Sequence, residues 1–195
     1  MGEKKTKNVV IIALCLTLIF MGVGFAALSQ NINIEATGTV SAKTAWDVHY
    51  ASFALSGKGG NAADTTPEAT DGGVKYLDAS KTTATVNFTL TAPGDYVEYK
   101  GTITNFGSID AKLSTYTSSF NTDNQYVDKT ITIGGESIAA DESHSVTSPD
   151  IALVKGKTTG SSTDVVVRYT LKDVTQLPET AQTVTDSIVF GFVQQ

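Results

Sequence analysis

Few residues in this chain have the types and spacing that chemistry needs. There are two histidines and one cysteine among its 195 residues. His49 stands on the polar parity of an alternating segment, and His144 stands between two serines. A zinc protease needs two histidines one helical turn apart with a glutamate between them, and neither histidine has such a partner. Cys15 sits inside an apolar run, away from any second thiol. No Gly-x-Ser-x-Gly elbow frames a serine nucleophile. Gly57-Lys58-Gly59-Gly60 lacks the Gly-Lys-Ser/Thr ending of a phosphate loop.

Two groups of loop acids invite calcium: Asp64, Glu68 and Asp71, and Asp123 with Asp128. Neither has EF-hand spacing, and both read as solvated loop acids. Leu177-Pro178-Glu179-Thr180-Ala181 resembles a sorting signal, but a further strand follows it where a membrane span and basic tail belong. It reads as a proline-bearing loop. Asn87-Phe88-Thr89 is a glycosylation sequon in form, placed inside a strand. The expectation is therefore a protein that is not an enzyme, with no catalytic residues, no metal site and no cofactor.

The elements that hold these residues are strands. Ile32, Ile34, Ala36, Gly38 and Val40 share one parity, against Asn31, Asn33, Glu35, Thr37 and Thr39. A period of two marks a half-buried strand. Thr44 to Leu55 reads as a second strand, with a phase shift near Ala51 that a bulge explains. Ser56 to Gly73 reads as an exposed, mobile loop, and Val74 to Asp78 as a short strand. Thr82 to Thr91 alternates cleanly, with Ala84, Val86, Phe88 and Leu90 inside. Pro93-Gly94-Asp95 makes a turn into Tyr96 to Thr104, and Asn105-Phe106-Gly107-Ser108 a turn into Ile109 to Tyr116. Two hairpins in series predict a meander. Lys129 to Ile133, Asp150 to Val154, Thr163 to Lys172 and Val184 to Val193 complete the set. Roughly nine or ten strands at this spacing predict an all-β antiparallel sandwich.

An export segment precedes the strands. Lys4, Lys5 and Lys7 form a basic start, and Val9 to Val23 an apolar run of signal-peptide length. Gly24 and Ala26 put small residues at −3 and −1, which predicts cleavage between Ala26 and Ala27. Cleavage after Ser29 is the alternative. Left uncleaved, Val9 to Leu28 is just long enough to anchor the chain in a bilayer. The run lacks a lipoprotein cysteine at its end and an acid inside it, which sets aside lipoprotein and prepilin export. The expected organisation is a signal helix at 1–26 and one sandwich domain at 27–195, in which 27–42 is a candidate donor strand.

The whole chain carries a formal charge of −6. Residues 1–26 hold three Lys and one Glu, a net +2, so removing them leaves −8 on 169 residues. An acidic chain without a basic patch argues against nucleic acid and against anionic membranes. Membrane contact is expected only through the uncleaved signal segment. Without Cys15 the mature chain has no cysteine, so disulfides do not stabilise it.

Three pieces of the sequence carry a family resemblance. They are Gly24-Phe25-Ala26-Ala27-Leu28-Ser29 before the first strand, the stretch from Pro93-Gly94-Asp95-Tyr96-Val97 through Asn105-Phe106-Gly107-Ser108 to Leu113, and a last strand ending in Gln. Together they resemble the TasA/camelysin family of Gram-positive surface and biofilm-matrix proteins. The resemblance implies export, trimming by a signal peptidase, and a jelly-roll sandwich at the cell surface or in the extracellular matrix. It also implies assembly with copies of itself into a fibre, the N-terminal strand of one subunit completing the sheet of the next. Ile32, Ile34, Ala36, Gly38 and Val40 would then fill a neighbour's groove. Camelysin-like relatives have been described as metalloproteases, and this chain lacks the histidine spacing for that activity. The alternative is a monomeric adhesin or carbohydrate-binding sandwich. Tyr96, Phe106, Tyr116 and Tyr126 are the aromatics that would have to cluster on its surface.

Overall fold

A computed structural model describes residues 46–69, 72–121, 124–140, 143–156, 159–176 and 179–195. The expected signal segment, the expected cleavage point at Ala26 and Ala27, and the candidate donor residues Ile32, Ile34, Ala36, Gly38 and Val40 lie outside these residues. The described part is all-β. It contains eleven strands in two antiparallel sheets packed face to face, two of the strands only two residues long.

The first sheet runs β1 (Val48–Gly59), β4 (Tyr96–Asn105), β10 (Ser162–Leu171), β6 (Val127–Ile133), β7 (Glu136–Ile138). The second runs β2 (Ala63–Asp64), β3 (Thr83–Leu90), β11 (Gln182–Gln194), β5 (Ala111–Ser118), β8 (Ser143–Ser145), with β9 (Ala152–Leu153) also pairing β5. Setting aside β1, β2 and β9, the orders β4-β10-β6-β7 and β3-β11-β5-β8 are the double Greek key of a jelly roll.

The expected meander is not what forms. β3, β4 and β5 alternate between the two sheets, so both turns are corners rather than hairpins. The physical reason lies in the turn residues. Asp95 is buried at the first corner and accepts the N–H groups of Thr91 and Ala92, each at 2.9 Å, which folds the chain back on itself without strand pairing. Gly94 takes the left-handed φ of +83° that this corner needs. Asn105 is buried at the second corner. Its Oδ1 accepts from Gly107 N–H at 2.9 Å, and its Nδ2 donates to the carbonyls of Ile109 at 2.8 Å and Leu153 at 3.2 Å. The Pro-Gly-Asp and Asn-x-Gly signatures are therefore sheet-switching devices.

Alternation places the core. Ala84, Val86, Phe88 and Leu90 of β3, Val97, Tyr99 and Ile103 of β4, and Val165, Val167, Tyr169 and Leu171 of β10 are all buried. Phe88 lies between Tyr99 and Tyr169, with ring centroids 6.5 and 4.5 Å away. The bulge expected near Ala51 is present as a register shift between Tyr50 and Ser52.

The first half of the expected loop Ser56 to Gly73 is instead ordered. Ser56 to Gly59 extends β1, Ala62 is buried, and Ala63–Asp64 adds β2 to the edge of β3. Glycine masked this strand in the sequence. Tyr96 packs over Gly59, and a methyl at that position would lie 2.2 Å from its ring, so the ring would have to move. Val74 to Asp78 supplies only isolated bridges, Val74 to Leu77 and Leu77 to Ala84.

Candidate functional site

The chemical groups converge in the core between the sheets. β6 alternates Val127, Lys129, Ile131 and Ile133 inward, and β11 alternates Val184, Asp186, Ile188 and Phe190 inward. One basic and one acidic residue thus interrupt two apolar faces. The strands belong to opposite sheets, and the two side chains meet across the core. The Lys129 side chain is 1% exposed and that of Asp186 0%.

Every polar atom of this pair is satisfied. Lys129 Nζ donates to Tyr116 Oη at 2.5 Å, to Ser118 Oγ at 2.6 Å and to Asp186 Oδ2, which uses all three ammonium N–H groups. Asp186 Oδ2 also accepts from the Tyr169 hydroxyl. Asp186 Oδ1 accepts from Ser118 Oγ at 2.7 Å and from the backbone N–H groups of Ser119 at 3.1 Å and Phe120 at 3.0 Å. Those donors come from the end of β5, where the chain leaves the sheet. The rings of Tyr116, Phe120 and Tyr169 surround the ammonium, their centroids 5.3, 5.6 and 5.6 Å from Nζ.

Burial dominates the electrostatics. It pushes Lys129 below the ordinary lysine range, against the opposing pull of Asp186. It also pushes the Tyr169 hydroxyl well above the ordinary tyrosine range, with the Asp186 charge adding to the effect. Taking both charges out of water costs several kcal/mol per ion, and only this complete set of partners offsets it. In chemical terms the centre holds a lysine whose charged form burial disfavours, against a carboxylate whose Oδ1 faces the Ser118 hydroxyl, the N–H and hydroxyl of Ser119 and the Phe120 N–H, and whose Oδ2 faces the Tyr169 hydroxyl.

A second polar cluster sits under β2. Asp64 accepts from Thr66 Oγ1 at 2.6 Å, Tyr76 Oη at 2.7 Å and Tyr99 Oη at 3.1 Å, and Lys75 lies 3.4 Å away. Burial raises the Asp64 carboxyl, but the hydrogen bonds outweigh it and hold the group below the ordinary range.

The other residues singled out in the sequence lie apart from both clusters or add to them singly. His49 hydrogen-bonds Asp47 at 2.7 Å and stacks on Phe106 at 4.5 Å. His144 packs beside Tyr116, ring centroids 5.3 Å apart. Among the described residues no three His, Cys, Asp or Glu side chains converge. Asp64 belongs to the tyrosine cluster, Glu68 is exposed and 3.9 Å from Lys75, and Asp128 pairs with Lys172 at 3.1 Å. Asp71, Asp123, Leu177 and Pro178 fall outside the described residues. Asn87 lies in β3.

Of the four aromatics expected on a binding face, Tyr116 is fully buried in the core, Tyr126 is partly buried against it, Phe106 stacks on His49, and Arg168 lies over Tyr96 at 3.7 Å. Tyr116 points inward because Ala111, Leu113 and Tyr116 share the buried side of β5, and a register shift opposite Gly191–Phe192 accommodates the change of phase.

Sequence reasoning passed over Lys129 and Asp186. The signal was there: each is a lone charge on the inward parity of an otherwise apolar strand. Comparison with known proteins adds no relative, since no family model, curated protein or solved structure matches the chain.

Proposed function

We propose that this chain is an exported structural subunit of an extracellular matrix fibre, assembling by β-strand donation. The observation that carries the reading is the open edge of the first sheet. β1 is 12 residues long, and among the described residues no strand pairs with its outer side. The other sheet margins are short strands, three residues each in β7 and β8 and two in β2. That side is partly occupied, since Tyr50 N–H donates to the Lys81 carbonyl at 2.9 Å; a long edge with no strand beside it is still a template for another strand. The alternating segment from Gln30 to Val40 is of similar length and precedes β1 in the chain, with residues 41–47 between them. Two register shifts along β1 mean that a donor must follow it in short runs, 48–50, 52–55 and 57–59.

In this reading Ile32, Ile34, Ala36, Gly38 and Val40 face the neighbour and Glu35 faces water. Burying the three β-branched side chains contributes on the order of 5–8 kcal/mol before association costs. A signal peptidase frees the donor near Ala26 and Ala27. The remaining partner is a second copy of the chain.

Sedimentation of the mature protein, Ile34→Asp and Glu35→Asp under matched conditions tests this. Wild type and Glu35→Asp should polymerise, and Ile34→Asp should not, since an unpaired carboxylate in a buried groove is strongly unfavoured. Wild type that stays monomeric at high concentration and acidic pH refutes the proposal.

A further inference from the structure

The Lys129–Asp186 centre is arranged for more than an ion pair. We infer that the Lys129 amine and the Asp186 carboxyl condense to an intramolecular amide that ties the two sheets together covalently. The inference rests on the buried centre alone and is independent of fibre assembly.

The amine and carboxyl are in direct contact inside the core, where their relative orientation is already paid for by folding. The nucleophile in such a reaction is the neutral amine, which burial favours over the ammonium. The electrophile is Asp186 Cγ. As Nζ attacks, negative charge develops on Oδ1. The Ser118 hydroxyl and the N–H groups of Ser119 and Phe120 already point at that atom, at 2.7, 3.1 and 3.0 Å. Fixed donors aimed at a developing oxyanion are what acyl transfer requires. Oδ2 is the leaving oxygen, and the Tyr169 hydroxyl is placed to deliver a proton to it.

The step balances within the pair. The ammonium starts with three protons and the carboxylate with none. One proton passes from Nζ to Oδ2, giving amine and acid. The Nζ lone pair forms the bond to Cγ, and the carbonyl electron pair moves to Oδ1. A second proton reaches Oδ2 through the Tyr169 hydroxyl, which already donates to that oxygen and takes a proton from nitrogen in return, so that it ends in its starting state. The Cγ–Oδ2 bond then breaks and Oδ2 leaves as water, while the amide nitrogen keeps one proton. No oxidant, cofactor or second substrate is needed.

The environment favours the product. The amide is neutral, so the cost of holding two charges in the core disappears. Tyr116, Phe120 and Tyr169 keep bulk water from the bond. The link joins β6 of one sheet to β11 of the other across 57 residues of chain, and it constrains the unfolded chain as a disulfide would in a protein without cysteines to pair.

Peptide mapping of the purified full chain reads the bond directly. Trypsin cannot cut after an acylated lysine. In a folded sample, shown to melt cooperatively, the wild type should yield peptide 113–155 joined to 173–195, lighter than their sum by one water. Lys129→Arg should yield 113–129 and 173–195 as separate peptides. Tyr169→Phe, which keeps the ring and loses only the hydroxyl, should carry a smaller crosslinked fraction than wild type at matched times after synthesis. A folded wild type that gives free 113–129 and free 173–195 overturns the inference. Equal crosslinked fractions in wild type and Tyr169→Phe overturn the role of Tyr169.

Discussion

Asp95→Ala offers the sharpest test of how the corner after β3 is held. Asp95 is 3% exposed. Its Oδ2 accepts from Thr91 N–H at 2.9 Å, Ala92 N–H at 2.9 Å and Thr91 Oγ1 at 3.0 Å, and its Oδ1 accepts from Asn61 N–H at 3.0 Å. One carboxylate thus ties the β3–β4 corner to the end of β1. Hydrogen bonds to charged groups contribute about 1.5–3 kcal/mol each. These four share a single acceptor group, and some of the freed N–H groups regain water, so the expected loss is about 3–4 kcal/mol. For a domain of this size that lowers the melting temperature by roughly 10 °C.

The pH dependence has a definite sign. Burial raises the Asp95 carboxyl, but the N–H groups of Thr91, Ala92 and Asn61 outweigh it and hold the folded value below the ordinary one. The unfolded chain titrates at about 3.9. The contribution is therefore complete above about pH 4 and is lost as pH falls through the lower folded value. Thermal melts followed by circular dichroism at neutral pH and near pH 3 check both parts, with Asp95→Asn as the neutral comparison. The gap between wild type and Asp95→Asn should shrink on acidification. A loss under about 1 kcal/mol in Asp95→Ala, or a gap that ignores pH, refutes the account.

Three further outcomes follow from the geometry. Asn105→Ala removes a fully buried amide that holds Gly107, Ile109 and Leu153, and should cost about 2–4 kcal/mol in chemical denaturation. Gly101→Ala puts a methyl 2.6 Å from the Phe53 ring and 2.8 Å from the Ser52 carbonyl, so β1 must shift, and a loss of about 1–3 kcal/mol should appear in the same assay. Tyr99→Phe deletes the hydroxyl that donates to Asp64 at 3.1 Å while leaving the ring stacked on Phe53, and should cost about 1 kcal/mol with no change in far-UV circular dichroism.

The sequence by itself determined that this is a β protein and which side of each long strand faces inward. Period-two alternation in β3, β4 and β10 is a local property, written in consecutive residues, and burial follows it through β3 and β10 and through β4 as far as Ile103, beyond which the corner buries Thr104 and Asn105 as well. The bulge near Ala51 was legible for the same reason, since a phase slip shows in the order of residues. Which strands become neighbours was not legible. Pro93-Gly94-Asp95 serves a hairpin or a corner equally well as a turn, and the choice between them depended on where the Asp95 carboxylate finds N–H groups, one of them 34 residues away. The β1 extension was hidden because Gly57 and Gly59 look like loop residues until Tyr96 is seen packed beside them. The buried centre was half visible. Alternation marks Lys129 and Asp186 as inward charges, each by itself a contradiction. Only the jelly-roll topology, which sets β6 and β11 in facing sheets, brings one contradiction against the other and resolves both.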